Sequence, residues 1–328
     1  MRAGRSGDMN ETLDPQAPSS AVVTTEPRSL TSHVTLERVI MLVNPTSGSV
    51  GPRAAGEAQE ILAEYACQSS VVELTGADFD AQILAALDAR PDALFVLAGD
   101  GTAGRIASRA GPDGPLVAPL PGGTMNMLPK ALYGTGDWKA ALKLALEDGA
   151  PQPVAGGEVS DGHVRQAFYC AAIMGSPALW APAREAIRDG KPGLAWAYGR
   201  RALRRAFTGR LRFSLDGGPE RKAEALVLIS PLISRAMEED IGLEAAAMTT
   251  SDTAQALRMA AHAMTGDWRQ DPSVTTGATQ TVTVRARSRI PAVIDGEPTL
   301  LRHEARVKFI KKAFMALAPT PATSKKAV

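Results

Sequence analysis

Ala93-Leu94-Phe95-Val96-Leu97-Ala98, followed at once by Gly99-Asp100-Gly101-Thr102-Ala103-Gly104-Arg105, is the stretch that decides the fold. Six apolar residues without alternation suit a strand buried on both faces, as in a parallel sheet. A glycine turn follows, and Ile106 leads into a short helical stretch that Gly111-Pro112 ends. Strand, glycine turn and helix start together make an anion site, because the first N–H groups of a helix lack partners within it and the helix dipole favours negative charge. Asp100 then lies in reach of a metal ion or of a hydroxyl group. The alternative is a turn residue or helix cap.

The residues on either side repeat the pattern. Val39-Ile40-Met41-Leu42-Val43 is a second continuous apolar run, ended by Asn44-Pro45. The spacing predicts a helix over 53–66, a strand over 71–74, and a helix through Phe79, Ile83, Leu84 and Leu87 that Pro91 stops. Leu116-Val117-Ala118 is a further strand before the turn Pro121-Gly122-Gly123, and 125–132 and 138–146 read as helices. Strands alternating with helices imply parallel βαβ units in a doubly wound α/β domain over residues 35–150. In such sheets ligands bind beyond the carboxyl ends of the strands. Three loops follow strands in that sense: Asn44-Pro45-Thr46-Ser47-Gly48, Gly99 to Thr102, and Gly122-Gly123-Thr124-Met125-Asn126.

After Ala150 the pattern changes. Pro151, Pro153, Gly156 and Gly157 read as a linker. Strands are predicted over 168–174, 211–215, 223–229, 281–286 and 305–310, with helices near 193–208 and 253–264. A mostly β second domain over 151–318 is expected beside the first with a cleft between them. Residues 1–34 and 319–328 read as disordered tails. In the second domain Val293-Ile294-Asp295-Gly296-Glu297 sets two acids around a glycine. One could take the proton of an alcohol. Asp-Gly is also a strong hairpin signal.

The four segments, in this order, resemble the diacylglycerol kinase and sphingosine kinase family, with a likeness that runs from about Leu36 to Ala318. The resemblance implies a Rossmann-like domain and a β-sandwich, ATP bound in the cleft between them, Mg2+ as cofactor, and phosphorylation of a lipid hydroxyl on a diacylglycerol-like or sphingoid substrate. Carried over by position, Asn44, Pro45, Thr46, Ser47, Gly48, Thr75, Gly99, Asp100, Gly101, Thr102, Arg105, Gly123, Thr124 and Asn126 would contact the nucleotide. Glu297 and Asp295 would be the candidates for proton acceptor, Glu297 foremost, and Asp100 would organise the metal or the hydroxyl. Asp240, in Glu238-Glu239-Asp240-Ile241-Gly242, is the nearest match to the family's metal-binding acidic segment. The chain departs from the family's usual Gly at Ala98, where a methyl group is tolerated if φ is negative. It also departs from the family's usual Asp at Met127, which removes a carboxylate from the metal network; Lys130 holds the next basic position.

Bulk properties narrow the partners. The 328 residues are 45% hydrophobic and 22% charged, with 36 Lys plus Arg against 35 Asp plus Glu. A formal net charge of +1 provides no global basic field for nucleic acid. The 2 cysteines, Cys67 and Cys170, suggest neither a disulfide framework nor a zinc site. From Arg184 to Arg212 there are nine basic residues and two acids, with Trp196, Leu203 and Phe207 near one helical face. Such a segment suits an anionic membrane surface or a helix packed on its own domain. The expectation is a cytoplasmic protein, peripheral at the inner membrane surface, acting in lipid metabolism and phospholipid biosynthesis. A homodimer is compatible with the sequence. Two other readings share the motifs: a non-catalytic nucleotide- or lipid-binding homologue, and an NAD-kinase-like enzyme.

Overall fold

The structure, a computed structural model, describes residues 34–175, 211–234, 241–248 and 274–320. Both terminal tails (but for Val34, Pro319 and Thr320), the two helices expected in the second half, Asp240 and nearly all of the basic segment lie outside the described residues.

The first half alternates as expected. Its elements are β1 (Arg38–Val43), α1 (Ala54–Ala63), β2 (Gln68–Glu73), α2 (Phe79–Asp88), β3 (Ala93–Ala98), α3 (Asp100–Ala110), β4 (Leu116–Pro121), α4 (Met127–Tyr133) and α5 (Trp138–Asp148). The strands pair in parallel in the order β2-β1-β3-β4. Successive side chains of β1 go to opposite faces. Val39, Met41 and Val43 pack with α1 and α5, whereas Ile40 and Leu42 join Ile83 of α2 and Ile106 of α3. Helices therefore cover both faces, which is why β1 and β3 are apolar without interruption. β2 begins three residues earlier than its apolar residues suggest, because its first half is the exposed Gln68-Ser69-Ser70 on an edge strand.

The second half is antiparallel. Its strands are β5 (Gly149–Ser160), β6 (Arg165–Phe168), β7 (Ala171–Gly175), β8 (Leu211–Leu215), β9 (Arg221–Ala223), β10 (Ala225–Ile229), β11 (Leu243–Met248), β12 (Val274–Thr279), β13 (Thr281–Arg285), β14 (Ile290–Ile294), β15 (Glu297–Leu301) and β16 (Glu304–Pro319). One sheet runs β12-β11-β10-β7-β14-β15. The other continues the parallel sheet through β16 to β13, β8 and β9, with β5 and β6 attached to β16. The inner faces of the two sheets meet in one core, where Phe168, Phe213, Val284 and Val307 face Met174, Leu226, Leu228 and Ile294. This is the expected sandwich.

The linker reading of Pro151 to Gly157 is corrected: these residues lie in the 12-residue strand β5, paired with β16 from Gly149↔Pro319 to Ser160↔Arg306. Pro151 and Pro153 are two apart, so both present their missing N–H to the side where that part of β5 has no neighbour. Gly156 and Gly157 are required for close packing, since a Cβ at Gly157 would lie 2.4 Å from the Phe168 ring. The strand read over 168–174 is also two strands. The chain leaves one sheet after Phe168 and enters the other at Ala171.

Candidate functional site

At the carboxyl ends of β1, β3 and β4 the three loops lock onto one another. The Asn44 side chain accepts from the N–H (3.1 Å) and hydroxyl (2.7 Å) of Thr46, closing the first turn. Ser47 Oγ accepts from the Gly99 N–H at 3.2 Å, and Ser49 donates its hydroxyl to the Gly123 carbonyl at 3.0 Å. Backbones then approach without side chains between them: a Cβ at Gly123 would sit 2.7 Å from the Gly99 Cα, and one at Gly122 2.7 Å from the Ala98 nitrogen. Ala98 itself ends β3 with an ordinary negative φ, so its methyl group is accommodated.

α3 starts on Asp100, so its first N–H groups face outward from the turn. The Asp100 carboxylate accepts from the Met127 and Leu128 N–H groups, each at 3.2 Å. It thus caps α4 and not its own helix, whose N-cap is Gly99, and each oxygen keeps a lone pair. Asn126 is buried with a left-handed φ of 52°, and its amide exchanges two hydrogen bonds with Gly123, at 2.6 and 2.9 Å. Its polar atoms are therefore consumed inside the loop. α4 begins at Met127 rather than at Met125 for the same reason.

The hairpin β14–β15 approaches from the second sheet. Its two-residue turn is Asp295-Gly296, with φ of 46° and 90°, the pair of positive values that a type I′ turn needs. Asp295 accepts from three consecutive N–H groups, Tyr169 (2.7 Å), Cys170 and Ala171 (both 2.9 Å). These are the residues at which the chain crosses between sheets. Loss of water raises the Asp295 carboxyl from 3.8 to about 6, against the lowering effect of its three donors. Both oxygens serve the crossover, which leaves Glu297 as the exposed acid of the pair. A Cβ at Gly101 would lie 3.1 Å from Glu297 Oε1, so this carboxylate rests against the start of α3. Tyr169 completes the junction: its ring packs beside Gly104 and meets Phe314 edge-on, with centroids 5.0 Å apart.

These parts enclose a cavity of about 860 Å³. Its wall brings together eleven of the sequence-predicted residues: Ser47, Gly48, Gly99, Asp100, Gly101, Thr102, Arg105, Gly123, Thr124, Asp295 and Glu297. Asn44, Pro45, Thr46, Thr75 and Asn126 do not line it. The side chains of Asn44 and Asn126 hold their own loops, and the Thr75 N–H donates to Gln82 Oε1 at 3.1 Å. Phe79, Ser108, Arg109 and the β6 residues Arg165 and Gln166 also line the cavity, and the sequence reading had not singled them out for it. The i, i+4 spacing of Arg105 and Arg109 on one helix was the signal available. Among the described residues no group of three or more His, Cys, Asp or Glu side chains is placed to hold a metal ion, and no helix is long and apolar enough to cross a membrane.

The family model of the diacylglycerol kinase catalytic domain matches residues 38–159. Three solved structures from Bacillus anthracis str. Sterne share the fold. One is described as a diacylglycerol kinase, at 15% identity and TM-score 0.62, with 88% of this chain and 98% of that chain covered. Two are provisionally described as diacylglycerol kinases, at 18% and 17% identity, each with TM-score 0.66 and covering 88% of this chain and 99% of the other. At these identities the likeness establishes the fold. Among curated proteins none matches the sequence.

Proposed function

We propose, taking as premise that residues 38–159 match the diacylglycerol kinase catalytic domain, that the chain transfers the γ-phosphoryl group of ATP to the hydroxyl of a diacylglycerol-like or sphingoid lipid. The observation that carries the reading is the approach of Glu297 Oε1 to Gly101, which puts an exposed carboxylate beside the start of α3 on the cavity wall. The phosphates of the donor lie against Gly48, Thr124 and the first turn of α3, held by backbone N–H groups, hydroxyls and the helix dipole. Glu297 accepts the proton of the lipid hydroxyl as its oxygen bonds to the γ-phosphorus and the bond from that phosphorus to the bridging oxygen breaks, releasing ADP.

Asp295 holds the hairpin in register rather than taking the proton, because its oxygens are engaged with residues 169–171. Mg2+ usually keeps several waters and is bound through one or two carboxylates and the substrate phosphates. Asp100, on the cavity wall with a lone pair left on each oxygen, fits as such a carboxylate. Bound there, the ion would neutralise charge on the phosphates. The Glu297→Gln enzyme should bind ATP and lose transfer by about 10²-fold or more; turnover at the wild-type rate removes Glu297 from the mechanism. Membrane contact through residues 184–212, and metal binding by Asp240, belong to the same proposal. Replacing Arg201, Arg204 and Arg205 by Ala should abolish binding to anionic liposomes, and retained binding refutes that role.

A further inference from the structure

A separate slot of about 140 Å³ lies between the two sheets of the sandwich. It opens at the edge where β8 and β9 face β11 and β12. Phe213, Leu215, Ala245 and Ala247 give it apolar walls. Residues directly opposite one another in an antiparallel pair share a face of the sheet. Gly277 is opposite the buried Ala245 and so faces inward, where a Cβ would meet nothing within 4 Å. Arg221 is opposite the buried Phe213, so an arginine occupies a core-facing position of β9 at the mouth of the slot. It makes no ion pair with a described residue, and no carboxylate lines the slot. In sheet order β11 is four strand spacings from β15, roughly 20 Å, and the slot shares no lining residue with the transfer cavity.

Close-packed interiors leave few voids larger than a water molecule. This one persists because alanine and glycine stand where larger side chains would close it. Water inside would find few polar partners, whereas dry apolar cavities of about this size take up a ligand of about six carbons. We propose that the slot binds a short straight-chain carboxylate, with the alkyl chain between the sheets and the carboxylate at the mouth on Arg221. The planar guanidinium offers two parallel N–H donors that match a carboxylate. With no acid on the wall, that positive charge is unopposed. The site stands apart from phosphoryl transfer and holds whether or not the larger cavity is catalytic.

Calorimetric titration of the full chain with butyrate, hexanoate, octanoate and hexan-1-ol tests this. Affinity should rise by about fourfold for each methylene up to hexanoate. Octanoate should then gain less than about twofold, because a cavity of this size holds about six carbons. Hexan-1-ol should bind about fivefold more weakly than hexanoate, and Arg221→Gln should remove that difference. Gly277→Val places a strand-favouring side chain in open space, so the melting temperature should hold while hexanoate binding falls by about tenfold or more. The proposal is overturned by any of four results: no saturable binding of hexanoate, equal binding of the alcohol, affinity that keeps climbing at the same step through octanoate, or wild-type binding by folded Gly277→Val. Hexyl phosphate that binds more than about tenfold tighter than hexanoate overturns the carboxylate as the ligand group.

Discussion

On the proposed mechanism, replacing Gly101 by Ala should separate catalysis from folding. Gly101 is the second residue of α3, and its φ is not in the left-handed region, so Ala is conformationally acceptable. Helix propensity favours Ala over Gly by up to about 1 kcal/mol, and stability should hold or rise. The new methyl group, however, would stand 3.1 Å from Glu297 Oε1 and 3.7 Å from its Cγ. The carboxylate must yield by a few tenths of an ångström, away from the start of α3. Misplacing a reacting group by about 1 Å costs on the order of 10²-fold, so a shift of this size should lower kcat by roughly tenfold. Thermal unfolding and steady-state kinetics are read on the same preparation. In the Glu297→Gln background the Gly101→Ala change should have no further effect on kcat, because the displaced group is already inert. Wild-type kcat with the methyl group in place, or full additivity of the two changes, would refute the proposed role of the contact.

Two further predictions concern the supporting structure. Asn126→Ala leaves the Gly123 N–H without its partner and removes the short polar side chain whose local hydrogen bonds make a left-handed φ tolerable, which together should cost about 2–4 kcal/mol in urea denaturation; a loss under 1 kcal/mol contradicts the assigned role. Asp295 is raised from 3.8 to about 6 in the folded chain, so its contribution to stability is fully present below about pH 4 and is lost as the pH rises through 6. Relative to Asp295→Asn, which does not titrate, wild-type stability should fall by on the order of 3 kcal/mol between pH 4 and pH 7. A pH-independent difference shows that the carboxyl keeps its ordinary affinity for the proton.

The parallel half of the fold was legible because β1 and β3 are covered on both faces, and burial on two faces forces unbroken apolar runs. The glycine loops were legible because backbones that approach within contact distance leave no room for a Cβ, as at Gly122 and Gly123. β5 was misread because Pro and Gly dominate local rules, while its place is set by a partner strand about 150 residues away in sequence. The break at Tyr169 and Cys170 was invisible for a related reason: its N–H groups are satisfied by Asp295, far along the chain. Residue type alone left Asp295 and Glu297 open, and only the family resemblance put Glu297 first. Only the hydrogen bonds distinguish them, one oriented toward the crossover and the other toward Gly101. Asn126 read as a ligand contact, yet its amide is spent on Gly123.

The most direct measurement incubates the full chain with γ-labelled ATP, Mg2+ and a panel of lipids that includes diacylglycerol and sphingoid bases, beside the Glu297→Gln protein. The account predicts label in the phosphorylated form of at least one lipid with the wild-type chain, and label reduced by about 10²-fold or more with the variant. ATP that binds while no lipid in the panel becomes labelled, or equal labelling by both proteins, contradicts it.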